Sequence, residues 1–180
     1  MNHRQLAGII YRTAHIAGTF QLRSGQISDQ YFDKYLFESD PNLLTAIAEQ
    51  LKPLLPPDTE LLAGLELGGI PVATALSIST GIPAVYVRKK PKDYGTAKLT
   101  EGPDIRGKNI CIIEDVATTG GQILLSAADL LKSGARLGAV LCVIERGVQG
   151  RINLEREGLS LKSLFTVEQL ISAAQQEDQR

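Results

Sequence analysis

Two adjacent carboxylates, Glu114 and Asp115, close an apolar run that begins at Asn109. Val116, Ala117, Thr118, Thr119, Gly120, Gly121 and Gln122 follow at once, and a helical pattern starts there. Glycines let the backbone approach a ligand closely. The free N–H groups of a helix start, aligned with the positive end of its dipole, make an anion site, and two threonine hydroxyls add donors. A phosphate fits such a turn. The acids before it suit vicinal sugar hydroxyls, which need acceptors, and can help hold a metal through water. The competing reading is an ordinary helix capped by Thr118 or Thr119. Neither GxxxxGK[ST] nor GxGxxG occurs, so a P-loop and a dinucleotide fold are both disfavoured.

Three more apolar runs end in charge. LLAGLE (61–66) ends in Glu66 before Leu-Gly-Gly, PAVYVRK (83–89) in Arg88, Lys89 and Lys90, and RLGAVLCVIER (136–146) in Glu145 and Arg146. In an open parallel sheet ligands bind beyond the carboxyl ends of the strands. Four charged ends in succession therefore point to a polyanionic ligand. Arg146 could alternatively pair with Glu145 or Glu155.

The elements that must position these residues read as α/β. Near-continuous apolar strands imply burial on both faces, as in a parallel sheet covered by helices. Helical spacing is read over 5–17, from Pro41 through Leu51, over 70–79 and over 121–134. A short strand, SLKSLF, and a helix, VEQLISAA, close the chain. His3 and His15 are taken as ordinary residues of the first helix. The polar, glycine-bearing stretch 90–104 sits where a crossover helix would lie and is expected to be a mobile loop.

With 180 residues, 43% hydrophobic and 22% charged, the chain fits a single soluble domain. The net charge of −1 gives no general pull toward nucleic acid or membrane. No apolar run approaches the ~20 residues of a membrane helix, and no signal peptide is read, so a cytoplasmic protein is expected. Cys111 and Cys142 lie in strand-like runs and are expected to be buried free thiols. Zinc has no support in their spacing.

The segment EDVATTGG (114–121) resembles the motif that binds phosphoribosyl diphosphate (PRPP) in type I phosphoribosyltransferases. VRKKPKDYGTAKLTEG (87–102) is similar to the catalytic loop of the orotate branch. GTFQLRSGQISDQYFDK (18–34) is similar to that branch's N-terminal base-side segment, and GLELGGIPVATALS (64–77) to its diphosphate-side loop. Order and spacing agree from about residue 18 to 150. The resemblance implies an open parallel sheet flanked by helices, forming one domain over 1–180. Within it, 1–40 would form an N-terminal helix and hood and 41–180 the PRPP-binding core. It implies transfer of ribose 5-phosphate from PRPP to orotate, with Lys92, Glu114 and Asp115 catalytic. PRPP would lie against Arg88, Lys89, Lys92, Tyr94 and Glu114 through Gln122. Orotate would lie against Arg23, Tyr31, Phe32, Thr118 and Arg146. Magnesium would be carried by substrate and water near Glu114 and Asp115, with no direct protein ligand. A homodimer is implied, its catalytic loop shared between subunits.

Two positions depart from the family's pattern. Arg23 stands where members usually carry Lys, and Tyr94 where many bacterial members carry His. A phenol titrates far above neutral pH, which puts a general-acid role for that position in doubt. A transferase for another nucleobase would share the PRPP residues. A non-catalytic PRPP sensor acting on nucleic acid would need a basic face, which the net charge does not suggest.

Overall fold

The computed structural model describes residues 1–21, 25, 27–90 and 99–177. The first helix, α1 (His3–Ala14), starts from Asn2, whose side chain accepts the Gln5 amide while Gln5 Oε1 accepts the Asn2 amide. This reciprocal cap satisfies two helix-end donors. The helix stops at Ala14, short of the expected residue 17. His15 opens β1 (His15–Gln21), which pairs antiparallel with β2 (Ile27–Phe32), setting His15 opposite Phe32 and Ala17 opposite Gln30. Cross-strand pairing takes the backbone that helical spacing alone had assigned to α1. A five-residue helix, α2 (Lys34–Glu38), follows from an Asp33 cap, and α3 (Pro41–Leu51) starts at Asp40, which accepts the Asn42 and Leu43 amides. Pro41 at the first helical position gives α3 the start expected of it.

The remaining chain builds a six-stranded sheet from β3 (Leu61–Leu65), β4 (Ala84–Val87), β5 (Thr100–Glu101), β6 (Asn109–Ala117), β7 (Arg136–Glu145) and β8 (Ser160–Thr166). Their order is β5-β4-β3-β6-β7-β8, all parallel except β5, which runs against β4. The expected loop 90–104 is thus in part a strand, and residues 91–98 within it lie outside the described residues. Between the strands run α4 (Gly69–Thr80), α5 (Gly121–Lys132) and α6 (Gln149–Arg156), and α7 (Val167–Glu177) follows the last strand.

Each face of the sheet buries its own core, as the apolar strands require. Leu62, Cys111, Ile113, Leu141 and Phe165 pack with α1, α3, α4 and α7. Leu61, Ala63, Ile112, Val140 and Cys142 pack with α5 and α6. The two cysteines are therefore free and on opposite faces. Burial pushes the Cys111 thiol up to about 12 and raises that of Cys142 as well, so both are inert as nucleophiles. Among the described residues no helix is long and apolar enough to cross a membrane.

Candidate active site

The strand order reverses between β3 and β6: the chain moves outward to β4 on one side and to β7 and β8 on the other. That switch point is where an open α/β sheet forms its crevice. It holds the Leu-Gly-Gly turn after β3 and the Glu114–Gln122 segment on β6 and its turn. Both glycines are required there. A Cβ on Gly68 would run into the Asp115 carboxylate, and one on Gly69 into the Ile113 carbonyl. The Glu66–Leu67 peptide is cis.

Strand β6 runs on to Ala117, so Glu114 and Asp115 sit inside its last residues rather than at its end. The turn that follows places Gly120 at the N-cap of α5 with φ +75°, a conformation that favours glycine, and no side chain caps the helix. The alternative reading of Thr118 or Thr119 as caps is set aside. Both threonines are exposed, and the first-turn amides are left for a ligand. Helix α6, which the sequence did not announce, supports the turn from behind. A Cβ on Gly150 would come within 2.7 Å of the Thr118 carbonyl, and Asn153 Nδ2 donates to Thr119 O at 3.0 Å.

The charged strand ends divide into two kinds. Glu145 is buried and accepts from Arg151 through both its oxygens and from Ser163 Oγ at 2.8 Å. Arg151, ahead of the opposing effect of burial, holds the Glu145 carboxyl below its usual range. Glu145 therefore belongs to the scaffold, and its partner is Arg151 rather than Arg146. Arg146 is exposed and lines a cavity of about 460 Å³ together with Tyr31, Phe32, Val116 and Thr118. Tyr31 is half open to solvent, and Phe32 is half-buried against the core. On the other side of the switch point Glu66 accepts the Lys89 amide at 2.9 Å. Arg88 Nε donates to Glu101 at 3.1 Å, while Lys89 and Lys90 are exposed. Arg23, Lys92 and Tyr94 lie outside the described residues.

The structure adds residues that the sequence reading missed. Lys34, at the start of α2, forms an ion pair with Asp115 Oδ2 and also lines the cavity. Glu38, one turn on, is buried, and neither of its oxygens meets a hydrogen-bond donor. Burial first, then the nearby Asp115, pushes its carboxyl up to about 9, so it is a neutral acid able to donate to Asp115. Glu114 is raised for the same two reasons in the same order. Burial would raise Asp115 too, but the neighbouring Glu114, Glu38 and Lys34 outweigh it and draw its carboxyl below the usual range. Lys34 is pulled down by burial, and the Asp115 bond more than restores it. Asp115 is thus the one anion its neighbours are arranged to stabilise. His15, expected on a helix, lies on β1 and lines the same cavity, bonded to Gln30 at 3.1 Å and stacked on Tyr11.

A larger hollow of about 720 Å³ lies between β5 and α5. Its charges are spent on each other, Arg106 on Asp104 and Lys132 on Asp129. The convergent chemistry is at the smaller cavity.

No protein-family model matches the chain. It is 48% identical over 168 residues to an orotate phosphoribosyltransferase of Nocardioides sp., spanning 93% of this chain and 94% of the relative. It is 40% identical over 154 residues to one from Methanocella arvoryzae, spanning 86% and 88%. Among solved structures, orotate phosphoribosyltransferase of Mycobacterium tuberculosis H37Rv in complex with Fe(III) dicitrate superposes with TM-score 0.85 and 29% identity, over 93% of this chain and 98% of that one. The same enzyme in complex with PRPP superposes with TM-score 0.80 and 27% identity, over 93% and 98%. The sheet order and the acid-pair turn into α5 define a type I phosphoribosyltransferase fold. Within that class, the chain belongs to the orotate phosphoribosyltransferase family.

Proposed function

We infer that the protein transfers the ribose 5-phosphate of PRPP to orotate, giving orotidine 5'-phosphate and diphosphate, a transferase step of pyrimidine synthesis. The observation that carries this reading is a meeting at one switch point. An aromatic-walled cavity holding Arg146 takes in Thr118, beside the uncapped start of α5, and Lys34, whose ammonium pairs with Asp115. In the reaction the C1–O bond to diphosphate breaks, the bond from the orotate ring nitrogen to C1 forms, and the nitrogen's proton leaves to solvent. Positive charge develops on the ribose ring and negative charge on diphosphate, so cations belong at the leaving group.

The site residues take their roles from this chemistry. The amides of Gly120, Gly121 and Gln122, with the Thr118 and Thr119 hydroxyls, take the 5-phosphate on a turn floored by Val116 and Ala117. Glu114 and Asp115 accept from the ribose hydroxyls. Arg88, released from Glu101, serves the diphosphate together with Lys89, Lys92 and Tyr94. Orotate lies against Tyr31 and Phe32, its carboxylate on Arg146, with Thr118 and Arg23 beside it. A guanidinium suits a planar carboxylate through paired hydrogen bonds.

Magnesium fits this site as an ion carried by the substrate. Glu114 already accepts the Asp115 amide with one oxygen, and Asp115 Oδ2 faces Lys34. These carboxylates are therefore placed for contact through water, which suits an ion that keeps several waters and prefers phosphate oxygens. When bound, the ion would offset charge on the leaving diphosphate. The reading further holds 1–180 as one domain with 1–40 as its base-side hood, a cytoplasmic location, and a homodimer in which Lys92 serves the neighbouring subunit's site.

Incubation with magnesium-PRPP and, in turn, orotate, uracil, adenine and hypoxanthine tests the base. Orotidine 5'-phosphate as the dominant product is expected, and a purine nucleotide would overturn the assignment. Arg146→Ala should raise the orotate KM roughly ten- to hundredfold while the PRPP KM stays within about threefold, since a charge-assisted hydrogen bond contributes about 1.5–3 kcal/mol. Equal weakening of both substrates would make Arg146 a structural residue.

A further inference from the structure

Asp115 is the best-stabilised anion of the site, yet it is 1% exposed. Its Oδ1 accepts the Val116 amide at 2.7 Å, and its Oδ2 is covered by the Lys34 ammonium, with Gly68 and Glu38 on the remaining sides. A ribose hydroxyl reaches Oδ2 only by taking the place of that ammonium. Lys34 itself is about one-third open, with 32% of its side chain exposed, and that open part lines the cavity that also holds Thr118 and Arg146. Its position is not set by local preference. It stands at the first position of α2, where the helix dipole disfavours a cation. What holds it is the Asp115 carboxylate, with the Tyr35 ring 5.2 Å from the ammonium and the cavity open beside it.

We propose that Lys34 is a cation shared by the two substrate subsites: it neutralises Asp115 while the ribose subsite is empty and turns to the anionic base when the ribose hydroxyls replace it, so that filling the ribose subsite tightens orotate binding. The proposal rests on the PRPP and orotate reading above. Asp115 needs a partner at all times, because a buried carboxylate without one is strongly penalised. The ribose hydroxyls, as donors, release Lys34 from that duty. The freed ammonium then shares the cavity with Arg146, and two cations facing one small space favour an anion between them. Orotate supplies that anion. The coupling is reciprocal, so orotate must tighten the ribose ligand by the same factor.

Ribose 5-phosphate tests this, because it carries the ring hydroxyls and the phosphate but no leaving group. Orotate binding is measured by calorimetry with and without saturating ribose 5-phosphate, on the wild-type protein and on Lys34→Gln, Lys34→Met and Lys34→Arg. Thermal melts establish that each variant is folded. Ribose 5-phosphate should tighten orotate binding to the wild type by about tenfold, in the usual range of coupling between sites. The factor should fall to within about twofold in the Gln and Met variants, and Lys34→Arg, which keeps the charge, should retain most of it. A wild-type protein showing no tightening overturns the proposal without reference to any variant. So does a folded Lys34→Gln protein that couples as strongly as wild type. Turnover of orotate with magnesium-PRPP is measured alongside. Turnover without coupling removes the role of Lys34 and leaves the functional reading standing, whereas no turnover of orotate removes that reading itself.

Discussion

Subunit exchange between two inactive variants, Asp115→Asn and Lys92→Ala, should restore roughly a quarter of the wild-type activity. Asp115→Asn is close to isosteric. It keeps an oxygen for the Val116 amide and loses the charge toward which Lys34, Glu38 and Glu114 are arranged. A preorganised group of this kind is worth about a hundred- to thousandfold in turnover when removed. The fold should survive, because the Lys34 side chain is partly open and can turn to solvent. Lys92→Ala removes a cation proposed to serve the leaving diphosphate in the neighbouring subunit. In a mixed dimer one site then has both good residues and the other has neither. Random pairing makes about half the dimers mixed, hence about a quarter of all sites intact. Should Lys92 serve its own subunit, every site keeps one defect and mixing recovers nothing. Activity is followed after exchange, with exchange itself confirmed by mass. A flat result with confirmed exchange would rule out the shared site.

The sheet and the glycine turn into α5 were legible in the sequence for a simple physical reason. Strands buried on both faces must be apolar throughout, so β3, β4, β6 and β7 stand out as runs. A close-approach turn needs small residues, so Thr118 to Gly121 stand out as well. Strand directions then forced the four charged ends to one edge. What was hidden depends on contacts across the chain. His15 and Ala17 continue the helical spacing of α1, and only their pairing with Phe32 and Gln30 moves them onto a strand. Helix α6 has few apolar residues to mark it, and its place is set by packing against the Thr118–Gly120 turn. Thr100 and Glu101 acquire strand geometry only because β4 offers an open edge. Lys34 and Glu38 occupy a five-residue helix, too short for periodicity to reveal. Their meaning comes from Asp115, which lies on the fourth strand after them in the chain and meets them only once the sheet is assembled. Glu145 shows the opposite case, a residue whose place at a charged strand end suggested a ligand and whose burial against Arg151 and Ser163 gives it to the scaffold.

Glu38→Gln should stabilise the protein, and the gain should grow with pH. In the folded protein the Glu38 carboxyl is pushed up to about 9 by burial and by Asp115, whereas in the unfolded chain it titrates near the ordinary glutamate value. Between those two values the unfolded state releases a proton that the folded state retains. Stability contributed by the neutral acid is therefore fully present below the unfolded value and is lost progressively as pH rises toward 9. Glutamine cannot ionise, keeps a donor for Asp115, and removes this loss. At pH 8 the variant should exceed wild type by on the order of 5 kcal/mol, roughly 10–20 °C in Tm, and at pH 5 by only about 1 kcal/mol. Glu114 is raised in the same direction and remains in both proteins, so the variant's own decline with pH should be shallower rather than absent. Asp115, lowered, acts on the acid side of this window, and Lys34, raised, above it, so neither reverses the sign. Melting curves at half-unit steps from pH 5 to 9 decide the matter. Parallel curves for the two proteins would mean that Glu38 is already ionised in the folded state. Asp115 would then have Lys34 alone to offset a second buried anion beside it. The diverging curves expected here instead make Glu38 the neutral donor that lets a single lysine keep Asp115 charged, and free to be exchanged for a ribose.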